Sequence, residues 1–505
     1  MHFLGFVGYG IWPLSLVSLA LLFEALEAAG GAWRAFRLGA LFGWIAYLGG
    51  YLWLWRIVDA FLSGNVWLGG ALWLAYSLWF AGRFALFALG YRFLRGRGAP
   101  VALAALLPLL AIEGLYPDLF PVHVGVALID QIAWIQVADL GGPLALSALV
   151  VLANAALFET WRYARDRRPR PVLVWVLTPA LALGVWGYGR QRIREVEREM
   201  AAAPALRLGI VQGNLSTLSK RSDPEAVARA YLAQTRELLA AGDVDLVIWP
   251  ETVVARGLQR PLPLSGRYVR GELQVPILFG AATTEVQGGR RETWNSALLL
   301  GADGTIRAAY DKNLLIPFAE YVPFDARAPE LLELFPSGRH FAASRETPAL
   351  ALGPWRISTP ICYEAVRPDF VRRMVAAARP HLLVSLANDA WFGDSQEPRL
   401  HDAMARLRAV EHRRYFVRAT NSGISSVVDP LGRVVARTQL LARENLVAEV
   451  RLLDGATLYG RSFSFSGDAS GSRSGALRSI GSTPGTGMSS LERSSSPRYL
   501  RLSSP

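Results

Sequence analysis

The sequence predicts a multi-span α-helical membrane domain followed by an α/β domain of layered strands and helices, and three observations carry that expectation. Hydrophobic residues make up 52% of the 505 and charged ones only 19%, a balance too apolar for an ordinary soluble protein. Before residue 190 the apolar residues gather in long stretches. From Leu206 onward, short runs rich in Val, Ile and Leu alternate with amphipathic segments.

The apolar stretches lie near 11–27, 36–56, 66–91, 99–115, 141–158 and 171–188. A span needs about 20 residues to cross about 30 Å of hydrocarbon at 1.5 Å per residue, so about six spans are expected within a membrane domain of 1–190. The stretch from His123 to Asp139 holds Asp130, Gln131 and Gln136 and reads as re-entrant or interfacial. Arg83 lies inside the third span, where a charge is costly unless it faces protein, water or a lipid head group. Arg34 and Arg37 follow the first span, Arg92, Arg95 and Arg97 the third, and Arg162, Arg165, Arg167, Arg168 and Arg170 the fifth. The alternate loops carry almost no positive charge, with Arg56 at a helix edge and no Lys or Arg between Leu115 and Asp139. The positive-inside rule then puts everything after Gly189 on the outer face. The N-terminal apolar stretch has neither a basic n-region nor a small-residue cleavage site, which argues against a cleaved signal peptide.

After a linker expected at 191–204, the α/β domain spans 205–455. LRLGIVQGN, VDLVIWPET, VPILFGAATTE, WRISTPICYE and HLLVSLAND read as strands. PEAVARAYLAQTRELLAAG and HDAMARLRAVEHRRYFVRA read as helices, the second a polar one on which His401 and His412 are expected to be solvated or at the edge of the core. SSVVDPLGRVVART reads as a hairpin turning at Asp429–Gly432. Residues 456–505 are expected to form a disordered tail, since 15 serines fall among the last 45 residues without any apolar period.

The net charge of +12 is explained by the loop arginines, so no nucleic-acid partner is expected. One cysteine excludes an intrachain disulfide. Six histidines without metal-ligand spacing imply no metal.

Three segments place a reactive side chain where a strand gives way to a loop, the usual position of sites in open sheets: Glu251 in WPET, Lys312 in YDKNLLIPF and Cys362 in ICYEA. A thiol nucleophile needs a base and an oxyanion-stabilising group, which Glu251 and Lys312 can supply. A lone buried cysteine is also a common core residue. Spacing alone leaves both readings open.

These segments are similar to those of the nitrilase, or carbon-nitrogen hydrolase, superfamily, and within it to the apolipoprotein N-acyltransferase family. The resemblance runs through VQGN from Val211, IWPET from Ile248, KNLLIPFAEYVPF from Lys312, ICYE from Ile361, SLANDAWFG from Ser385 and RATNSGIS from Arg418. It implies an α-β-β-α sandwich and a catalytic triad of Glu251, Lys312 and Cys362. It also implies auxiliary or substrate-binding roles for Glu320, Tyr363, Glu364, Asn295 and Trp391, and no cofactor. The implied partners are a phospholipid acyl donor, a diacylglyceryl apolipoprotein acceptor and the membrane. The setting it implies is the bacterial inner membrane, multi-pass, with the catalytic domain in the periplasm. The loop Asn388–Gly393 is expected to shape the site, with Asp389 open between a structural and a functional role.

The sequence departs from the family at three places. The family's first span and its last, after TLYGR, have no counterpart here, from which a late-called start and a frameshifted C-terminus are expected. Lys220 and Arg221 stand where some members carry an entrance tryptophan. Two rival functions stay open at this point: a membrane-tethered amidase with the same triad, and an inactive relic.

Overall fold

The computed structural model describes residues 1–57, 65–166, 170–216, 223–262, 269, 271–287, 290–324, 327 and 341–461. The expectations for Arg167, Arg168, Lys220, Arg221 and the serine-rich tail from 462 lie outside the described residues.

Each apolar stretch carries a helix: α1 (Ser15–Glu27), α2 (Ala32–Gly50), α3 (Val66–Gly96), α4 (Val101–Leu115), α5 (Ala138–Asp166) and α6 (Val172–Ala202). Of these, α3, α5 and α6 are long and apolar enough to cross a membrane, and α4 is a shorter apolar helix. Small residues let α2 lie against α3, because a Cβ on Gly39 would meet the Phe84 carbonyl oxygen at 2.2 Å. Asn154 of α5 saturates its buried amide on α1. Its Nδ2 donates to the Ser15 carbonyl and its Oδ1 accepts from the Leu19 and Ala20 N–H groups. Arg83 faces protein, paired with Asp118 at 2.9 Å and donating to the Val122 carbonyl. At one end of the bundle Glu27 gathers Arg95 and Arg162, and Glu24 takes Arg165.

The stretch His123–Asp139 folds as a 3-10 turn (Val124–Leu128) and a one-turn helix (Ile132–Ile135) before α5. It serves as the socket for the second domain. Arg413 reaches Asp139 at 2.7 Å and the Gln136 side chain at 2.6 Å. The expected linker at 191–204 is instead the last turns of α6, which runs unbroken to Ala202. Gln191 and Arg192 bond Glu195 on the solvent side, while Ile193 and Val196 are buried against Leu431, so amphipathic helical order continues past the apolar part.

Two sheets follow. The first comprises β1 (Ala205–Gln212), β2 (Leu246–Ile248), β3 (Val254–Gln259), β4 (Ile277–Gln287), β5 (Arg290–Leu300), β6 (Ile306–Asp311) and β13 (Glu444–Arg451), in the order β13-β1-β2-β4-β5-β6 with β3 also on β4. The second comprises β7 (Leu350–Leu352), β8 (Trp355–Ser358), β9 (Leu382–Ala387), β10 (Tyr415–Thr420), β11 (Ser426–Val428) and β12 (Val434–Arg437), in the order β12-β11-β10-β9-β8-β7. Strand alternation decides the layers. Leu208, Ile210, Leu246 and Ile248 face Val384, Leu386 and Val417 across the sandwich. Val211, Val247 and Trp249 turn outward to α7 (Pro224–Ala240). Leu383, Phe416 and Val428 turn outward toward α8 (Pro368–Ala378) and α9 (Glu397–His412). This is the α-β-β-α order.

Three further sequence expectations are corrected. The helix expected over HDAMARLRAVEHRRYFVRA ends at His412, because Arg413 turns left-handed (φ 51°) and the aromatic and branched run after it pairs in parallel with β9 as β10. His401 and His412 are buried, not solvated, since α9 is covered by β10 on one side and the membrane domain on the other. The tail boundary expected at 456 falls within ordered chain: Thr457 donates to the Glu411 carbonyl, and the Tyr459 ring lies 5.8 Å from that of His412.

Candidate active site

Glu251 stands three residues beyond the end of β2, Lys312 one residue beyond β6 and Cys362 four residues beyond β8. Buried Trp249 donates its indole N–H to Thr235 of α7 at 3.0 Å, which fixes the turn carrying Glu251. Gly280 lets β4 approach that turn, since a Cβ there would meet the Thr252 nitrogen at 2.4 Å and the Glu251 Cα at 2.6 Å. Lys312 donates its N–H to the Asn295 carbonyl of β5 at 2.9 Å, which aligns the two side chains. Cys362 opens a 3-10 turn with φ 52°, a left-handed conformation that costs a non-glycine residue about 1–3 kcal/mol.

The side chains of Glu251, Lys312, Glu320 and Asn295 converge. Lys312 Nζ lies 2.8 Å from Glu320 and 3.5 Å from Glu251, and is 1% exposed. Asn295 Nδ2 donates to Glu251 at 2.6 Å and to Glu320 at 3.2 Å. Glu320 is itself held by the Ile316 N–H at 2.9 Å. Burial alone would release the Lys312 proton, but the charges of Glu320 and Glu251 outweigh it and hold the ammonium above its ordinary range. The Cys362 thiol is buried within reach of the same charges. Burial, then Glu251, push its pKa well up, and Lys312 only partly opposes them. The resting sulfur is therefore a neutral thiol, and its proton must be removed for it to attack.

Glu364 does not join this cluster. It is a staple between the lysine and cysteine loops, accepting from the N–H groups of Asn313 at 2.6 Å, Leu314 at 3.0 Å and Ile361 at 2.8 Å and from the Tyr310 hydroxyl at 2.7 Å. Burial raises its pKa to about 7. The Tyr363 ring turns to the membrane domain, edge-on to Phe120 at 5.7 Å, with its hydroxyl 3.1 Å from Arg367. Trp391 lies half-buried in the one-turn helix Asp389–Trp391 that follows β9.

Several contacts in the site's surroundings escaped the sequence reading. Asp389 takes Arg418 through both its oxygens, at 3.0 and 2.7 Å, with neither side chain exposed. Despite burial, Arg418 and His401 draw its pKa down to about 2. Phe392 packs edge-on against buried Trp53 of the membrane domain at 5.3 Å. Trp53 in turn meets Phe120 at 5.5 Å, so an aromatic row joins the first domain to the residue after Cys362. No sequence signal marks Trp53 or Phe120 among so many membrane aromatics. The DAWFG segment flagged the loop but not its partners.

Comparison with known proteins is consistent with this two-part architecture. Residues 1–156 match the family model described as the apolipoprotein N-acyltransferase N-terminal domain, and residues 207–457 match the carbon-nitrogen hydrolase model. An apolipoprotein N-acyltransferase of Geobacter metallireducens is 33% identical over 472 residues, covering 91% of this chain and 89% of the relative. One from Azotobacter vinelandii is 33% identical over 466 residues, covering 89% and 87%. Among solved structures, a CN-hydrolase superfamily protein from Xanthomonas campestris, XC1258, superposes with a TM-score of 0.37 at 21% identity, over 49% of this chain and 91% of its own. A helical membrane domain joined to a carbon-nitrogen hydrolase sandwich, matched as one unit over 91% of the sequence, places the chain in the apolipoprotein N-acyltransferase family.

Proposed function

We propose that the chain transfers an acyl chain from a membrane phospholipid to the α-amine of the N-terminal diacylglyceryl-cysteine of apolipoproteins, through a thioester on Cys362. The observation that carries this reading is the buried cluster of Glu251, Lys312, Glu320 and Asn295 beside the chain's single cysteine, a neutral thiol with a carboxylate and a fixed cation at hand.

In the first half-reaction Glu251 takes the Cys362 proton as sulfur attacks the ester carbonyl. The Lys312 ammonium and the Tyr363 N–H hold the oxyanion. Collapse breaks the ester C–O bond, and Glu251 returns the proton to the departing lysophospholipid oxygen. In the second, the lipoprotein amine attacks the thioester, Glu251 takes the amine's proton, and the thiol is regenerated as the amide forms. Glu320 and Asn295 orient Lys312 and Glu251, and the Trp391 loop supplies lipid contact. No cofactor enters either step.

The chain acts in the bacterial inner membrane with its catalytic domain in the periplasm. Helix α5 supports that orientation. Arg162 and Arg165 stand at its basic end, while Asp139 at its start receives the catalytic domain's Arg413. From Pro143 to Asp166 the helix rises roughly 34 Å, so the basic loops and the catalytic domain lie at opposite ends.

Intact-mass spectrometry of the full chain in phospholipid micelles tests the reading. An acyl adduct at Cys362, lost in Cys362→Ser and Glu251→Ala and discharged by a diacylglyceryl lipopeptide, is expected. Lipopeptide acylation by Cys362→Ser at the wild-type rate would falsify the thioester route.

A further inference from the structure

Helix α9 brings a buried histidine to the back of the nucleophile turn. His401 Nε2 lies 3.3 Å from the Cys362 carbonyl oxygen. A carbonyl only accepts, so Nε2 carries the proton. The other ring nitrogen sits between two carboxylates, 3.4 Å from Asp389 and 3.5 Å from Glu397. Asp389 is in turn anchored by Arg418, which also donates to the Ile424 carbonyl at 2.9 Å. All four side chains are buried, with His401 4% exposed and Arg418 fully enclosed. A protein that needed only to fill this space would use an apolar side chain. Instead a row of charged and polar groups ends on one backbone carbonyl.

That carbonyl belongs to the peptide unit that also contains the Tyr363 N–H. The unit is planar and trans, so its C=O and N–H point in opposite directions. Holding the oxygen aims the hydrogen. We infer that His401, buried between Asp389 and Glu397, is a positioning residue that fixes the Cys362–Tyr363 peptide plane and so aims the Tyr363 N–H at the developing oxyanion. The bond also polarises the peptide, which strengthens its N–H as a donor. The left-handed turn at Cys362 (φ 52°) gives the plane a reason to need an external hold.

This inference rests on Cys362 being the acylated nucleophile, and the experiment separates the two claims. The full chain in detergent–phospholipid micelles is assayed for single-turnover thioester formation and for steady-state transfer to a diacylglyceryl lipopeptide. His401→Phe keeps the ring volume but cannot donate, whereas His401→Gln places an amide N–H near the Nε2 position. The expected result is a fall of about 10-fold or more in thioester formation and kcat for His401→Phe, with KM for the phospholipid unchanged and His401→Gln within about threefold of wild type. Wild-type rates in His401→Phe, equal losses in both variants, or a loss carried by KM would each overturn the inference. So would a chain that fails to assemble with Phe at this position and also with Leu, while His401→Gln assembles without activity. Absence of any thioester in the wild-type chain would instead remove the nucleophile assignment itself.

Discussion

Replacing Lys312 by Met keeps most of the side-chain volume and removes one buried positive charge. The wild-type ammonium is 1% exposed and lies 2.8 Å from Glu320 and 3.5 Å from Glu251. Without it, the buried Glu251 and the partly buried Glu320 share Asn295 Nδ2 as a common donor, at 2.6 and 3.2 Å. Removing one partner of a buried ion pair costs about 3–5 kcal/mol. Loss of an oxyanion donor adds about 10²–10³-fold in rate. Lys312→Met should therefore melt well below wild type and lose transfer activity together. Adding Glu320→Gln removes the like charge and should recover most of the melting temperature but none of the activity. Fluorescence-detected unfolding in detergent, run beside lipopeptide acylation, measures both. A Lys312→Met chain as stable as wild type, or a double variant no more stable than the single one, would show that the charges are not coupled as the distances imply.

Two further perturbations follow from the same kind of accounting. Glu364 has a folded-state pKa raised to about 7 by burial. The folded chain therefore holds its proton between about pH 4.5 and 7 where the unfolded chain has lost it, and this group's contribution to stability falls as pH rises through that window, by on the order of 3 kcal/mol. The stability of wild type relative to Glu364→Gln should shrink from pH 4.5 to 7 in chemical or thermal unfolding; a difference that grows with pH refutes the assignment. Arg413→Met withdraws the guanidinium bound to Asp139 and Gln136. Because Asp139 keeps Tyr188 at 2.7 Å and Arg192 at 3.1 Å, the cost should sit at the low end of about 3–5 kcal/mol. A double-mutant cycle with Asp139→Asn measures the coupling, and strictly additive effects would mean that the pair does not lock the domains together.

Local patterns in the sequence carried the parts of the fold that depend on neighbours in the chain. Apolar length marked α1 to α6 as helices, of which α3, α5 and α6 are long and apolar enough to cross a membrane, and branched residues before a loop marked β1, β2, β4, β8 and β9. The loops bearing Glu251 and Lys312 declared themselves through the residues around them. What escaped the sequence is what distant contacts decide. Helix α9 carries Glu397, His401, Asp402, Arg408, Glu411 and His412 and reads as a solvent-facing surface, yet all six side chains are buried. The partners that make this affordable, the Cys362 carbonyl for His401 or Ser426 for Asp402, lie many residues away. Tyr415–Thr420 likewise became a strand through pairing with β9 and not through any local period. At the site, Glu320 was marked by the family resemblance and not by any local pattern. The staple role of Glu364 was not legible, because four of its donors arrive by way of folded backbone and Tyr310.

Helix α6 acts as a ruler. Its 31 residues, Val172–Ala202, measure roughly 46 Å, about 16 Å more than the hydrocarbon of a bilayer. The surplus is clamped to the catalytic domain by Ile193 and Val196 on Leu431 and by Glu197 on Arg433 at 2.7 Å. Inserting one residue before this clamp turns its contact face by about 100° and breaks it; inserting seven restores the face to within about 20° and lifts the domain by roughly 10 Å. On the proposed route, the height at which Cys362 meets a lipid ester is thus stored as a residue count. Donor lipids with bulkier head groups could be met by changing that count while leaving every side chain around the nucleophile as it is.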